Sequence, residues 1–462
     1  INLKKEKKNI LIILSSKIAL RNYLRNNVLG LIFKEYNTYI LLPENIDIDH
    51  SSNQYTLLKK YKYNKFISIA HSLLLDALTW RYRNKSKSFK FRIKRFTNID
   101  LSFNKNENFI LKSIKVFWRI ILSIQNYFKY FLGIIVIFDF FILFFKVFIK
   151  INKNLEESIK FKQFSIIIHP TSAYSPISND IARISKKNNI PSLFLIDNWD
   201  NLSSKSILYF KPNALAVWGE QSKEHAINIQ DFEREKIHLI GTARVDHYYK
   251  YINKYISSHF NFKYVLFLGT AIKFDEEAAI NCLSKIFKKN INLRSYKIVY
   301  RPHPWRQSTD ILKQDHLDNV IIDPQIKQAY LNLDDSFQPD LKYYPSLIKN
   351  AELIVGGLTS MLIESMIFNK KYIALVFDDN KNITSQNHAL KNYTHFEGIK
   401  NIESLILCND LLNLETLVKE NLNENNIKDM KKYKKILNYY IYSDELGYDE
   451  RLLNILKQYI KK

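Results

Sequence analysis

The stretch YKIVYRPHP, residues 296–304, runs β-prone and mostly apolar to Tyr300 and then turns into Arg301, Pro302, His303 and Pro304. Proline has no N–H to give a sheet ladder, so a strand here ends at the first of the two. The stiff turn that follows presents Arg301, His303 and, a little further on, Arg306. It is either a basic surface loop or an anion-binding corner at the mouth of an α/β domain, and its neighbours decide.

KYVLFLGT (263–270) precedes it, and NVIID (319–323), AELIVGG (351–357) and KYIALVFDD (371–379) follow. Near-continuous apolar runs mark strands buried on both faces, as in a parallel sheet covered by helices. An earlier series has the same form: NILIIL (9–14), TYILLP (38–43), FSIIIHP (164–170), IPSLFLID (190–197), ALAVWG (214–219) and KIHLIG (236–241). Helices are predicted near 20–35, 177–188 and 219–229, and YYKYINKYISSHFNF (248–262) reads as a linker. The fold class expected is therefore α/β, with two Rossmann-like, doubly wound domains. The first spans 9–250 and the second 262–410, with a helical tail over 411–462.

An insertion over 80–151 interrupts the first domain. WRYRNKSKSFKFRIKRF (80–96) holds eight Lys/Arg and no acid, and the apolar segment 120–149 follows it. That segment is long enough to span a bilayer, but Asp139 and Lys146 would both be costly at its centre. A buried core helix or a helix lying in a membrane interface fits better than a span.

Composition sets broad limits. The chain has 462 residues, 46% hydrophobic and 25% charged, which is ordinary for a globular protein of two or three domains. Its net charge of +24 suits nucleic acid, a membrane surface or an anionic substrate. A Lys-, Asn- and Ile-rich composition of AT-rich coding explains the charge as readily, so location counts for more than size. Cys282 and Cys408 lie far apart without a CxxC, which disfavours a disulfide framework or zinc site and suits a reducing compartment. The sequence opens on Ile1 rather than Met, so a preceding segment is expected. No secretory signal is read, since the apolar run behind Lys4–Lys8 is short and serves as a first strand.

Parallel α/β sheets bind ligands at the carboxyl ends of their strands. In the second domain those ends carry Gly269-Thr270, Arg301 to Pro304, GGLTS (356–360) and Asp378-Asp379. In GGLTSMLIESMIFNKK (356–371), Gly357 lets backbone approach a ligand, and Thr359 or Ser360 starts a helix whose N-terminus suits phosphate. Glu364, one turn on, can accept both hydroxyls of a ribose; the plainer alternative is a capped helix whose Glu favours the dipole. Arg301 supplies fixed positive charge and His303 a hydrogen bond or proton for a departing phosphate. GxGxxG and GxxxxGK[ST] are both absent, which disfavours a dehydrogenase or a P-loop kinase. No metal site is evident, although Asp378-Asp379 keeps one open; His388 and His395 lack a third ligand and read as a cleft-lining loop.

In the first domain LIDNWDNLSSK (195–205) gathers Asp197, Asn198, Asp200, Asn201 and Lys205 around Trp199, whose indole is either packed or stacked on a sugar. SSKIALRNYLR (15–25) places Ser16 after a strand and Arg21 and Arg25 on the next helix, facing a ligand or simply solvent. HPTSAYSP (169–176) is a third polar strand end. VWGEQSKEHA (217–226) reads as a strand end and a helix start.

The tandem domains, the Arg301-Pro302-His303-Pro304 turn and the helix carrying Thr359, Ser360 and Glu364 resemble GT-B glycosyltransferases. The His-Pro element is similar to that of CDP-glycerol glycerophosphotransferases, bacterial sialyl- and polysialyltransferases and capsule Kdo transferases. WDNLSSK (199–205) and VWGEQSKEHA…IHLIGTARVDHYY (217–249) resemble bacterial surface-polysaccharide transferases near those families. The resemblance covers roughly 9–400 and implies two domains facing across a cleft, with C-terminal helices. It implies a nucleotide donor, CMP- or CDP-linked, held by the second domain through Gly269, Thr270, Arg301, His303, Gly357, Thr359, Ser360 and Glu364. It implies an acceptor on the first domain, met by Ser16, Arg21, Arg25, Trp199, Asn201 and Lys205. An acidic base there is expected to be Asp200 first and Asp197 second, with His303 assisting departure of the nucleotide. The acid motif of the sialyl families and the His-Gly element of the glycerophosphotransferases are not evident, which leaves the donor sugar and the base open.

The activity expected is transfer of a sugar, or of a polyol phosphate, to a surface polysaccharide or lipid-linked glycan, without a cofactor or required divalent metal. The protein is expected in the cytoplasm, held peripherally on the inner face of the membrane by the insertion. A nucleotide-sugar epimerase of the same form, a nucleic-acid-binding protein and a noncatalytic scaffold are the rivals. No nucleic-acid-binding motif is recognisable, so nucleic acid is not expected as a partner.

Overall fold

The structure, a computed structural model, describes residues 6–48, 52–97, 109–304, 317–331, 337–380, 382, 384–422 and 430–460. The chain forms two compact units. One comprises Ile1–Thr242 with Tyr442–Lys462, the other Ala243–Ile441.

Unit 1 is built on a parallel sheet in the order β3-β2-β1-β4-β5-β6-β7. Its strands are β1 (Asn9–Ile13), β2 (Asn37–Leu41), β3 (Thr56–Leu57), β4 (Ile166–Thr171), β5 (Ser192–Ile196), β6 (Ala214–Val217) and β7 (Ile237–Leu239). The central strands are buried from end to end, as their unbroken apolar runs require. Unit 2 repeats the plan in the order β10-β9-β8-β11-β12-β13. Its strands are β8 (Tyr264–Leu268), β9 (Lys297–Arg301), β10 (Val320–Ile322), β11 (Leu353–Gly356), β12 (Tyr372–Leu375) and β13 (Leu405–Cys408). Numbered within unit 2 this is 3-2-1-4-5-6, the order of dinucleotide-binding folds. The short edge strands β3 and β13 had no clear sequence signal; the long apolar runs all became strands.

Three expectations change. The helix near 20–35 is broken into Lys17–Leu20, a π-helical turn Arg21–Arg25, and Gly30–Glu35. Asn27, with φ at 53°, takes the left-handed backbone that interrupts it. The apolar stretch 120–149 is likewise two helices, Phe109–Leu132 and Ile135–Phe148, bent by 89°. At the bend, Gly133 lies so close to the Lys65–Arg81 helix that a Cβ would come 2.6 Å from Trp80 Cβ. Among the described residues no single helix is long and apolar enough to cross a membrane. Third, the tail over 411–462 does not stay together. Leu414–Asn421 and Met430–Tyr440 belong to unit 2, while Tyr448–Tyr459 belongs to unit 1, and the earlier boundary falls at 242/243 rather than within 248–262.

The return is fastened by backbone bonds. Tyr442 N–H donates to Trp218 C=O (2.6 Å) and Arg451 Nε to Ile240 C=O (2.9 Å). Gly241 has φ at 76°, and a Cβ there would meet Tyr442 O at 2.4 Å, so only glycine fits. The Lys65–Arg81 helix, which leads into the insertion, is fastened by a buried pair: His71 Nε2 lies 3.1 Å from Asp180 Oδ1, and Asp180 also accepts from Tyr63 Oη and Asn152 N–H.

Candidate functional site

In unit 2 the strand order reverses between β8 and β11, where such sheets bind ligands. Three segments far apart in sequence meet there. Gly269 follows β8, and a Cβ on it would come 3.0 Å from His303 N and 3.0 Å from Pro302 Cα, so the Arg-Pro-His-Pro turn lies directly against it. A Cβ on Gly357 would come 2.6 Å from Thr270 Cγ2. Thr270 Oγ1 donates to Leu358 C=O (2.8 Å), tying the loop after β8 to the loop after β11. Thr359 caps the Ser360–Met366 helix in an extended conformation without using its side chain for the cap, and Ser360 opens that helix; both are half-buried, as is His303.

Two residues missed from the sequence hold this edge in place. Gln386 is fully buried; its Oε1 accepts from Leu358 N–H (2.8 Å) and its Nε2 donates to Ile272 C=O (2.6 Å). Glu276 accepts from Thr270 N–H (3.2 Å) and from Tyr300 Oη (2.7 Å). Neither stands in a motif, because each serves backbone that the fold alone brings near.

Arg301 and Glu364 do not occupy the exposed positions expected of them. Arg301 is 5% exposed and lies beneath the turn, with Nη2 donating to Tyr344 Oη (3.1 Å) and the guanidinium over the Tyr344 ring. Burial works against its charge, but Tyr344, Asp323 and Glu364 outweigh that and hold its pKa above the ordinary value. Asp323, at the end of β10, is pushed up by burial, with Arg301 opposing. Arg301 Nε and Asp323 Oδ2 are enclosed without a hydrogen-bond partner. Glu364 is fully buried: Tyr248 Oη donates to Oε2 (2.8 Å), and Arg244 Nη2 lies 2.8 Å from Oε1. A ribose could reach this carboxylate only if Arg244 or Tyr248 released it. Arg306 lies outside the described residues.

In unit 1 the strand ends separate the two candidate bases. Asp200 is tied down: Ser204 Oγ donates to its Oδ2 (2.7 Å), Lys205 Nζ stands 3.7 Å away, and its carbonyl serves the short helix Asn201–Ser204. Asp197, directly after β5, is half-buried with Oδ1 enclosed and unpartnered. Burial pushes its pKa up to about 7, against the pull of the Arg21 charge. A group that titrates near neutrality at a strand end is a candidate base. Asp200, expected first, is thus held by its own turn, whereas Asp197 has an unpartnered carboxylate oxygen.

The remaining first-domain candidates divide. Trp199 is 3% exposed, so its indole is packed rather than offered to a sugar. Asn201 is buried and its Oδ1 accepts from Asn198 N–H (2.7 Å), which makes it a brace of its own loop. Ser16 caps Lys17–Leu20 by accepting from Ala19 N–H (3.0 Å). Arg21 is half-buried and placed by bonds to Asn22 Oδ1, while Arg25 is exposed and Lys205 is paired with Asp200. His169, in β4, is fully buried between Ile13 C=O and Ser178 Oγ, and burial pushes its pKa down to about 4, so it is a neutral brace.

Among the described residues no group of three His, Cys, Asp or Glu side chains is placed to hold a metal ion. Asp379 instead accepts from Asp275 N–H and Asn382 N–H, His388 lies 3.9 Å from Asp378, and His395 is buried beside Phe396.

No family model matches the chain, and no curated protein matches it. Among solved structures it is similar to a putative UDP-N-acetylglucosamine 2-epimerase from Listeria monocytogenes, with 9% identity, 99% of this chain and 97% of that one covered, and a TM-score of 0.50. A glycosyltransferase from Rickettsia africae aligns over 98% of each chain at 10% identity with a TM-score of 0.46. A UDP-GlcNAc 2-epimerase from Methanocaldococcus jannaschii aligns over 97% of this chain and 99% of that one at 12% identity with a TM-score of 0.48. Likeness at these identities speaks for the fold alone, and the last two are too loose to weigh further. With its two Rossmann-like sheets in tandem, the chain has the GT-B fold.

Proposed function

We propose that this protein is a glycosyltransferase that uses a nucleotide-activated sugar donor. The observation that carries the reading is the convergence of Gly269, Thr270, His303 and Gly357 at the strand-order reversal of unit 2. The close-packed glycines let main chain approach a diphosphate, and the hydroxyls of Thr359 and Ser360 add hydrogen bonds. His303 offers a proton or hydrogen bond to the departing phosphate, while Arg301, buried beneath it, contributes a fixed positive field. In unit 1, Asp197 takes the proton from the acceptor hydroxyl. A pKa of about 7 gives it as much basicity as a group can have while still ionised near neutral pH. Arg21 favours its charged form. The resemblance to the His-Pro families supports a CMP- or CDP-linked donor and a surface-glycan or lipid-linked acceptor, with polyol-phosphate transfer as the nearest variant.

The test is ligand-induced stabilisation by CMP, CDP, UDP, GDP and UMP, in wild type, His303→Ala and Thr359→Ala. A ligand that binds only the folded state raises Tm. Stabilisation of wild type that both variants lose supports the site. A uridine or guanosine preference keeps the site and overturns the cytidine choice. No stabilisation by any nucleotide overturns the transferase reading.

A further inference from the structure

The helical insertion leaves a large apolar surface uncovered. More than half of the exposed large apolar side chains among the described residues fall within 114–148. On Phe109–Leu132 the exposed row includes Phe117, Ile124 and Tyr127; on Ile135–Phe148 it includes Phe140, Phe144 and Val147. The second helix is apolar on both sides: Phe138, Ile142 and Phe145 pack into a core with Leu74 and Leu78, and the opposite row has nothing over it among the described residues. A helix of that kind is normally buried or in contact with lipid. An exposed patch this large on a soluble chain marks an interaction surface.

We propose that this bent pair of helices lies in the interface of an anionic lipid bilayer and attaches unit 1 to it peripherally. Helix length argues for lying in the plane. Ile135–Phe148 has 14 residues, about 21 Å at 1.5 Å per residue, against a hydrocarbon core of about 30 Å. Asp139 and Lys146 are both exposed on it. In a span they would sit in hydrocarbon, whereas on an in-plane helix they stay at headgroup level. The 89° bend carries both exposed rows without requiring either helix to cross. Charge selects the lipid. The Lys87–Thr97 helix, within the acid-free stretch 80–96, exposes Lys87, Lys90 and Lys94 at i, i+3 and i+7, a lysine row complementary to anionic headgroups. Arg92 on that helix donates to Lys205 C=O and stacks on Tyr174, so the anchor adjoins the strand ends that carry Asp197 and Asp200. The inference does not depend on which reaction those strand ends perform.

The full chain is floated with phosphatidylcholine vesicles, with and without roughly 30% phosphatidylglycerol, a fraction chosen to give a negative surface potential. Wild type is expected to float with the anionic vesicles. The triple variant Phe140→Ser, Phe144→Ser, Val147→Ser and the double variant Phe117→Ser, Ile124→Ser each lose at least tenfold in bound fraction while keeping the wild-type Tm. Lys90→Glu with Lys94→Glu abolishes the preference for anionic vesicles. Wild type that stays unbound with both vesicles, or serine variants that float like wild type, overturn the proposal. So does a wild-type dimer that the triple variant makes monomeric while neither protein floats, since the face then belongs to a second copy.

Discussion

Asp197→Asn isolates the physical basis of the base assignment, because asparagine imitates the protonated acid in shape and charge. The wild-type carboxyl titrates at about 7 in the folded protein against a reference value of 3.8. Below pH 3.8 both folded and unfolded chains hold the proton, and the group contributes no difference. Between about 4 and 7 the folded chain keeps a proton that the unfolded chain has released, so stability falls as pH rises. Above 7 the full cost of a buried charge is present. Roughly three pKa units at about 1.4 kcal/mol each set a ceiling of ~4 kcal/mol, which solvent at this half-buried side chain lowers. The variant escapes that cost. Relative to wild type it should be no more stable at pH 4 and more stable by about 2–4 kcal/mol at pH 8. Four of the five tryptophans, Trp80, Trp118, Trp199 and Trp218, belong to unit 1, so tryptophan fluorescence in urea reports mainly on the unit that carries the change. Titrations common to both proteins cancel in the difference. A stability difference that stays flat from pH 4 to pH 8 would refute the reasoning, as would a variant weaker than wild type at pH 8.

Gln386→Ala strips partners from Leu358 N–H and Ile272 C=O and should cost about 1–3 kcal/mol per orphaned group, with weaker nucleotide-induced stabilisation read in the same melts. Glu364→Ala leaves Arg244 beside an empty site and should destabilise by about 3–5 kcal/mol; Glu364→Gln, which keeps the bond from Tyr248, should lose less, and equal losses in urea would deny that this bond contributes, while no loss in either variant would deny that the carboxylate is structural. Gly356→Ala puts a Cβ at 2.3 Å from Leu268 O inside the sheet, so expression as a soluble, cooperatively melting protein would contradict the observed approach of β8 and β11. If sugar transfer is the activity, Asp197→Asn abolishes turnover with donor binding intact, whereas Asp200→Asn retains most of it; the reverse pattern in a donor-consumption assay would restore Asp200 as the base.

The sequence by itself determined the elements and their edge. Strands buried on both faces must be apolar at nearly every position, so β1, β4, β5, β8, β9 and β11 stand out as runs, and Pro302 or paired glycines mark where they stop. Those stops predicted which residues would share the carboxyl edge of unit 2, because a parallel sheet puts all its carboxyl ends on one side. Tertiary structure decided what depends on partners distant in sequence. How Asp197 and Asp200 differ turns on enclosure: one carboxylate has an oxygen shut in without a donor, the other is bonded by its own helical turn. Glu364 looks like a ribose ligand in its motif, but Arg244 and Tyr248, more than a hundred residues away, occupy it. Gln386 and Gly133 acquire meaning only from the backbone or helix packed against them. The last helix joins unit 1 because Arg451 and Tyr442 find free carbonyls there, and local sequence pattern carries no trace of that choice.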